Sequence, residues 1–78
     1  MSVKELVELL VKALVDHPEE VDISAVEGER SVVVEVRVAP DDVGKVIGKQ
    51  GRIVQALRTV VKAAAAREGK KAVVEILQ

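Results

Sequence analysis

Gly44-Lys45-Val46-Ile47-Gly48-Lys49-Gln50-Gly51-Arg52-Ile53 carries three of the chain's five glycines and separates two apolar patterns of helical period. Before it, Val43, Val46 and Ile47 stand at i, i+3 and i+4 and predict a short helix over approximately 41–47. After it, Ile53, Val54, Leu57, Val60, Val61, Ala64 and Ala65 keep the same period and predict a long helix from Gly51 to about Glu68, stopped by Gly69. Gly48-Lys49-Gln50-Gly51 is therefore a turn between two helices. It is not a phosphate loop of the nucleotide hydrolases, which needs four residues between its glycines, then Lys, then Ser or Thr. Here three residues separate Gly44 from Gly48, and Gln50 follows Lys49. The dinucleotide fingerprint fails too, because it opens with two glycines one residue apart.

A turn of this composition suits an anion. Glycine at both ends removes Cβ atoms where a sugar-phosphate strand would approach the backbone, and the free N–H groups of the next helix, near Arg52 and Ile53, favour negative charge. Lys49 and Arg52 add full charges, and Ile47 and Ile53 are expected to form an apolar floor with the neighbouring strand. The surroundings agree. Cut after Pro40, the chain has 4 basic and 9 acidic residues before the cut and 8 basic and 4 acidic after it, net −5 and +4. From Val43 to Arg67 there are six basic residues, including Lys45 and Arg58, and no acidic one. A merely solvated helix face would intermix glutamate with its lysines.

Working outward, Ser2 and Glu5 have capping-box spacing, and Val3, Leu6, Val7, Leu10 and Leu14 predict an amphipathic helix over residues 3–15, ended by Asp16-His17-Pro18. Leu9, Val11, Ala13 and Val15 widen its apolar arc, which either the loops of a small domain wrap or another protein contacts. Alternation predicts strands over 21–26 and 32–38, closed into a hairpin by Glu27-Gly28-Glu29-Arg30, and a last strand over about 72–77. Pro40-Asp41-Asp42 opens the short helix, with two carboxylates expected near the positive end of its dipole. The order is α-β-β-α-α-β. The hairpin is antiparallel and the last strand returns through a long crossover, so the expected architecture is α+β, a three-stranded mixed sheet with three helices on one face, as a single domain over 1–78.

Composition narrows the function further. With 12 Lys plus Arg against 13 Asp plus Glu, the net charge of −1 predicts no whole-chain attraction to nucleic acid or membrane, so attraction must be local. The longest stretch free of charged residues and histidine is five residues, Ile53 to Leu57, against the roughly 20 that a spanning helix needs. A soluble protein retained in the cytoplasm, without a secretory signal, is the expectation. There is no cysteine and one histidine, His17, so no metal site, cofactor or catalytic triad is expected, and no enzyme. Aromatic residues are absent, so bases cannot stack on a ring. Recognition would use backbone polar groups, aliphatic contact and arginine planes, and sequence selectivity should be modest.

Val46-Ile47-Gly48-Lys49-Gln50-Gly51-Arg52-Ile53 resembles the signature of the KH domain, a module that clamps about four nucleotides of single-stranded RNA. The helix-first order resembles the bacterial type II arrangement. The likeness extends to Leu14-Val15-Asp16-His17-Pro18-Glu19-Glu20 and Asp41-Asp42-Val43-Gly44-Lys45, and the whole chain resembles the bacterial single-KH family KhpA. That resemblance implies an RNA chaperone or regulator acting on single-stranded RNA, as a homodimer or as a heterodimer with a second KH protein of the KhpB kind. It implies a phosphate-contacting turn at Gly48, Lys49, Gln50 and Gly51 and groove-lining positions at Ile47 and Ile53. With the flanking cations Lys45, Arg52 and Arg58, these form the candidate RNA-binding set. The hairpin at 27–30 would stand for the family's variable loop, where Glu27 and Glu29 repel phosphate unless Arg30 offsets them. The alternative is a dimerisation module on the same scaffold, with RNA contact secondary.

Overall fold

The computed structural model describes residues 1–77. Ser2 opens the first helix, α1 (Val3–Leu14), with a reciprocal cap. Its Oγ accepts from the Glu5 N–H at 3.1 Å, and Glu5 Oε1 accepts from the Ser2 N–H at 2.9 Å. Two donors that the first helical turn would leave without partners are thus satisfied. Val3, Val7 and Val11 form its buried stripe. The helix stops at Leu14, one residue short of the expected end, and Pro18–Glu20 adds a single 3-10 turn that periodicity did not reveal.

The strands are β1 (Asp22–Glu27), β2 (Ser31–Arg37) and β3 (Lys71–Ile76), in the order β1-β2-β3. Each begins one residue away from its expected start. β2 runs antiparallel to β1 and parallel to β3, the mixed sheet that the crossover requires. The chain reverses between β1 and β2 where the Gly28 N–H donates to the Ser31 C=O at 2.8 Å. Ile23, Val32, Val34, Val36, Ala72 and Val74 make the buried sheet face. Against it lie α1, α2 (Val43–Ile47) and α3 (Arg52–Ala66), so the architecture is α+β with the order α-β-β-α-α-β. β-branched valines dominate both layers of the core, with Val7, Val11, Val46 and Val61 fully buried on the helices. Valine suits a pleated surface and still packs at the crowded face of a helix.

The start of the expected helix over 41–47 is a 3-10 turn, Pro40–Asp42, and α2 proper begins at Val43. Asp42 stands at the N-terminus of α2, as expected, but makes no side-chain cap to it, and at 0% exposure it is the one buried charged residue among those described. Its carboxylate instead accepts the N–H groups of Asp16 at 3.2 Å and His17 at 2.9 Å, tying the end of α1 to the start of α2. Lys45 Nζ lies 3.6 Å from the Asp42 carboxylate and 3.1 Å from that of Asp16. Burial pushes the Asp42 carboxyl up, but the two N–H donors, with the charges of His17 and Lys45, outweigh it and hold the group below its ordinary value. Asp42 therefore stabilises the fold fully above the ordinary carboxylate range, and that contribution is lost as pH falls through its depressed value. Thermal midpoints measured from neutral to strongly acid pH should fall more steeply for the native chain than for Asp42→Asn, which starts lower at neutral pH. Parallel curves would contradict this role.

Candidate nucleic-acid interface

α2 ends because Gly48 takes φ 78° and ψ 173°, a conformation essentially confined to glycine. A Cβ there would lie 2.5 Å from Ile53 Cγ1 and 2.8 Å from Ile53 Cβ. The missing side chain at Gly48 thus makes room for Ile53 of the same chain, a different reason from the ligand approach expected of it. Gln50 (φ 58°, ψ 24°) and Gly51 (φ 73°, ψ 14°) are left-handed and bring the chain round to α3. Three bonds close the turn. The Gly48 N–H donates to the Gly44 C=O at 2.8 Å, the Gly51 N–H to the Gly48 C=O at 3.1 Å, and the Arg52 N–H to the Lys49 C=O. The N–H groups of Lys49 and Gln50 take no part in them. Lys49, Gln50 and Arg52 are exposed, and α3 opens with neither a side-chain cap nor an acidic residue in its first turn. The positive end of a 15-residue helix therefore meets solvent uncompensated beside two cations.

Beyond this corner, a groove lies between α3 and β3. Gln55, Arg58, Lys62 and Ala66 follow one another along α3 at i, i+3, i+7 and i+11. Two adjoining hollows share Lys62, Ala72 and Val73. One, of about 300 Å³, adds Arg58, Val74 and Glu75, and the other, of about 390 Å³, adds Ala66, Lys70 and Lys71. β3 is an edge strand. Lys71 and Leu77 donate their N–H groups to Arg30 and Val36 at 2.9 Å, so the alternate residues Ala72, Val74 and Ile76 turn their backbone polar groups to the open side. Arg58 Nε reaches across and donates to the Val74 C=O at 3.3 Å.

The expected site residues do not all gather here. The turn Gly48 to Gly51, with Arg52, leads into α3, the helix that carries Arg58 into the groove. Lys45 directs its ammonium at Asp16 and Asp42, and the Asp16 hydrogen bond holds its pKa above the ordinary lysine value. Its charge is spent on the fold. Ile47 is half-buried at the end of α2. Ile53 does not join a floor with β3. It lies on the flank of α3 facing α1, lining an apolar hollow of about 250 Å³ with Leu10, Leu14, Ala56 and Val60. The acidic hairpin reaches only the far end of the groove, where Glu27 Oε1 accepts from Nζ of Lys70, a residue that lines the second hollow, at 3.2 Å. Lys62, Lys70 and Lys71 were not expected in the site. The seven-residue spacing from Gln55 to Lys62 through Arg58 was a usable signal for Lys62, whereas Lys70 and Lys71, at the entry to β3, needed the sheet order.

Among the described residues no group of three or more His, Cys, Asp or Glu could hold a metal ion, and no helix is long and apolar enough to cross a membrane. A family model described as KhpA/KhpB, KH domain, matches residues 4–76. The chain is 62% identical over 74 residues to the RNA-binding protein KhpA of Clostridium perfringens, covering 95% of this chain and 99% of that one. It is 51% identical over 77 residues to the RNA-binding protein KhpA of Aquifex aeolicus, covering 99% and 98%. No solved structure gives a significant match.

Proposed function

The chain belongs to the KhpA/KhpB family of KH domains, a non-enzymatic family, and from that footing we propose that it binds single-stranded RNA by gripping the sugar-phosphate strand at Gly48–Gly51. The observation that carries the reading is the turn itself. Its Lys49 and Gln50 N–H groups are free of the bonds that close it, and it abuts an uncapped helix start flanked by Lys49 and Arg52. Phosphates seated there would direct the strand along α3, past Arg58 and Lys62, with bases over Ala72 and Val74. Lys45 and Ile53 act through the turn, Lys45 by anchoring α2 and Ile53 by packing on Gly48.

Two or three neutralised phosphates give a salt slope that can be computed. Log affinity should fall against log salt at about −1.4 to −2. Fluorescence anisotropy with a short labelled RNA over a salt series measures it, and a flat response would contradict a phosphate grip. One such site binds weakly and with modest sequence preference, which suits a cytoplasmic RNA chaperone or regulator rather than a sequence-specific repressor.

The apolar hollow between α1 and α3 supports a second element, pairing with another KH chain. Leu14 (36% exposed) and Val60 (49%) line it and leave much of their apolar surface uncovered by the chain. Its opposite side from the groove leaves both RNA sites of a dimer free, and two sites on one strand gain avidity through effective concentration. A second copy is the occupant proposed here. Sedimentation over a concentration series should show a dimer for the native chain and a monomer for Val60→Glu. A monomer throughout would favour a second KH protein such as KhpB over self-association.

A further inference from the structure

Arg58 does more than add charge to the groove: we infer that it selects which bases are read there, favouring those with two adjacent hydrogen-bond acceptors. This rests on the RNA-binding reading above. The open edge of β3 is the polar surface that a base in the hollow between Arg58 and Val74 would meet, and an unmodified strand edge offers each base both a donor and an acceptor. Val74 departs from that pattern. Its C=O is already engaged by Arg58 Nε at 3.3 Å, so what faces the groove at this point is the Val74 N–H and the remaining guanidinium N–H groups. One lone pair of that carbonyl is taken and the guanidinium stands over it, so the edge is donor-rich where it would otherwise be mixed.

Base chemistry then discriminates. Cytosine presents N3 and O2 side by side, and guanine presents O6 and N7, a pair that arginine meets with two parallel bonds. Adenine has a donor amine next to each acceptor it could offer on these edges, and uracil separates its two carbonyls by an N–H. A donor-rich site leaves those amine and imide hydrogens facing donors, which is costly where water is displaced. Since the chain has no aromatic residue, stacking on a ring cannot override this preference. Lys62 and Lys71, on flexible stems, contribute point charges without the fixed fork that pairs two acceptors.

Labelled octamers test this directly: A8, U8, C8 and alternating (UG)4, titrated against the native chain, Arg58→Lys and Arg58→Ala. The native chain should bind C8 and (UG)4 at least about fivefold more tightly than A8 and U8. Arg58→Lys keeps the charge, and its salt slope should match the native one while the four affinities converge to within about twofold. Arg58→Ala frees the Val74 C=O and should improve A8 relative to C8 despite weaker binding overall. A native chain that binds the four octamers equally, or Arg58→Lys with the native order of preference, overturns the inference and leaves the RNA-binding reading standing. No binding to any octamer overturns both.

Discussion

Replacing Lys49 and Gln50 together by aspartate is expected to weaken binding of a short single-stranded RNA by about a hundredfold, with helix content unchanged. Each charge-assisted contact to phosphate is worth about tenfold or more in affinity. The double substitution removes one cation and sets two anions where phosphate would sit. The fold should tolerate it, because both side chains are exposed and aspartate is among the few residues that accept the left-handed backbone of Gln50. Circular dichroism and anisotropy on the same samples check both halves. Full affinity in a folded variant would refute the site.

Gly48→Ala should be the most destabilising single substitution in the turn, costing about 2–6 kcal/mol, the sum of backbone strain and overpacking. In a domain of this size that lowers the thermal midpoint by roughly 10–30 °C. Gly51→Ala should cost only about 1–2 kcal/mol, since its left-handed φ is strained but the new Cβ would meet nothing closer than Val54 Cγ1 at 4.0 Å. Because the clash at position 48 is with Ile53, Ile53→Ala should recover part of the loss in the Gly48→Ala background, a coupling that a double-mutant cycle reads. Equal losses at the two glycines, or strictly additive effects of the pair, would show that Gly48 does not serve as the seat of Ile53.

That contrast also shows what can be read from residues in order. Periodicity was enough for the three α-helices and the three strands, because the apolar spacings of Val3 to Leu14, Val32 to Val36 and Ile53 to Ala65 each belong to one face of one element. The mixed sheet followed from the length of the crossover. What stayed hidden depends on contacts between distant segments. Asp42 reads as a helix-dipole residue beside Asp41, yet its partners are backbone N–H groups 25 and 26 residues earlier. Lys45 reads as one more cation in a basic run until Asp16 and Asp42 are seen beside it. Ile53 occupies an apolar position that either flank of α3 could claim, and only the placement of α1 decides between them. Lys70 and Lys71 enter the groove because β3 is the edge strand next to α3, a fact of topology rather than of local pattern.

The central claim is that the Gly48–Gly51 corner receives phosphate and that the groove toward β3 receives the bases. Titration of the isotopically labelled chain with a short single-stranded RNA, followed by amide NMR, tests it most directly. The largest shifts should fall on Lys49 to Ile53 and continue through Arg58 and Lys62 to residues 71–75, with small changes in α1. Shifts confined to the α1 and α3 flank around Leu10, Leu14 and Val60, with the turn amides unmoved, would contradict it.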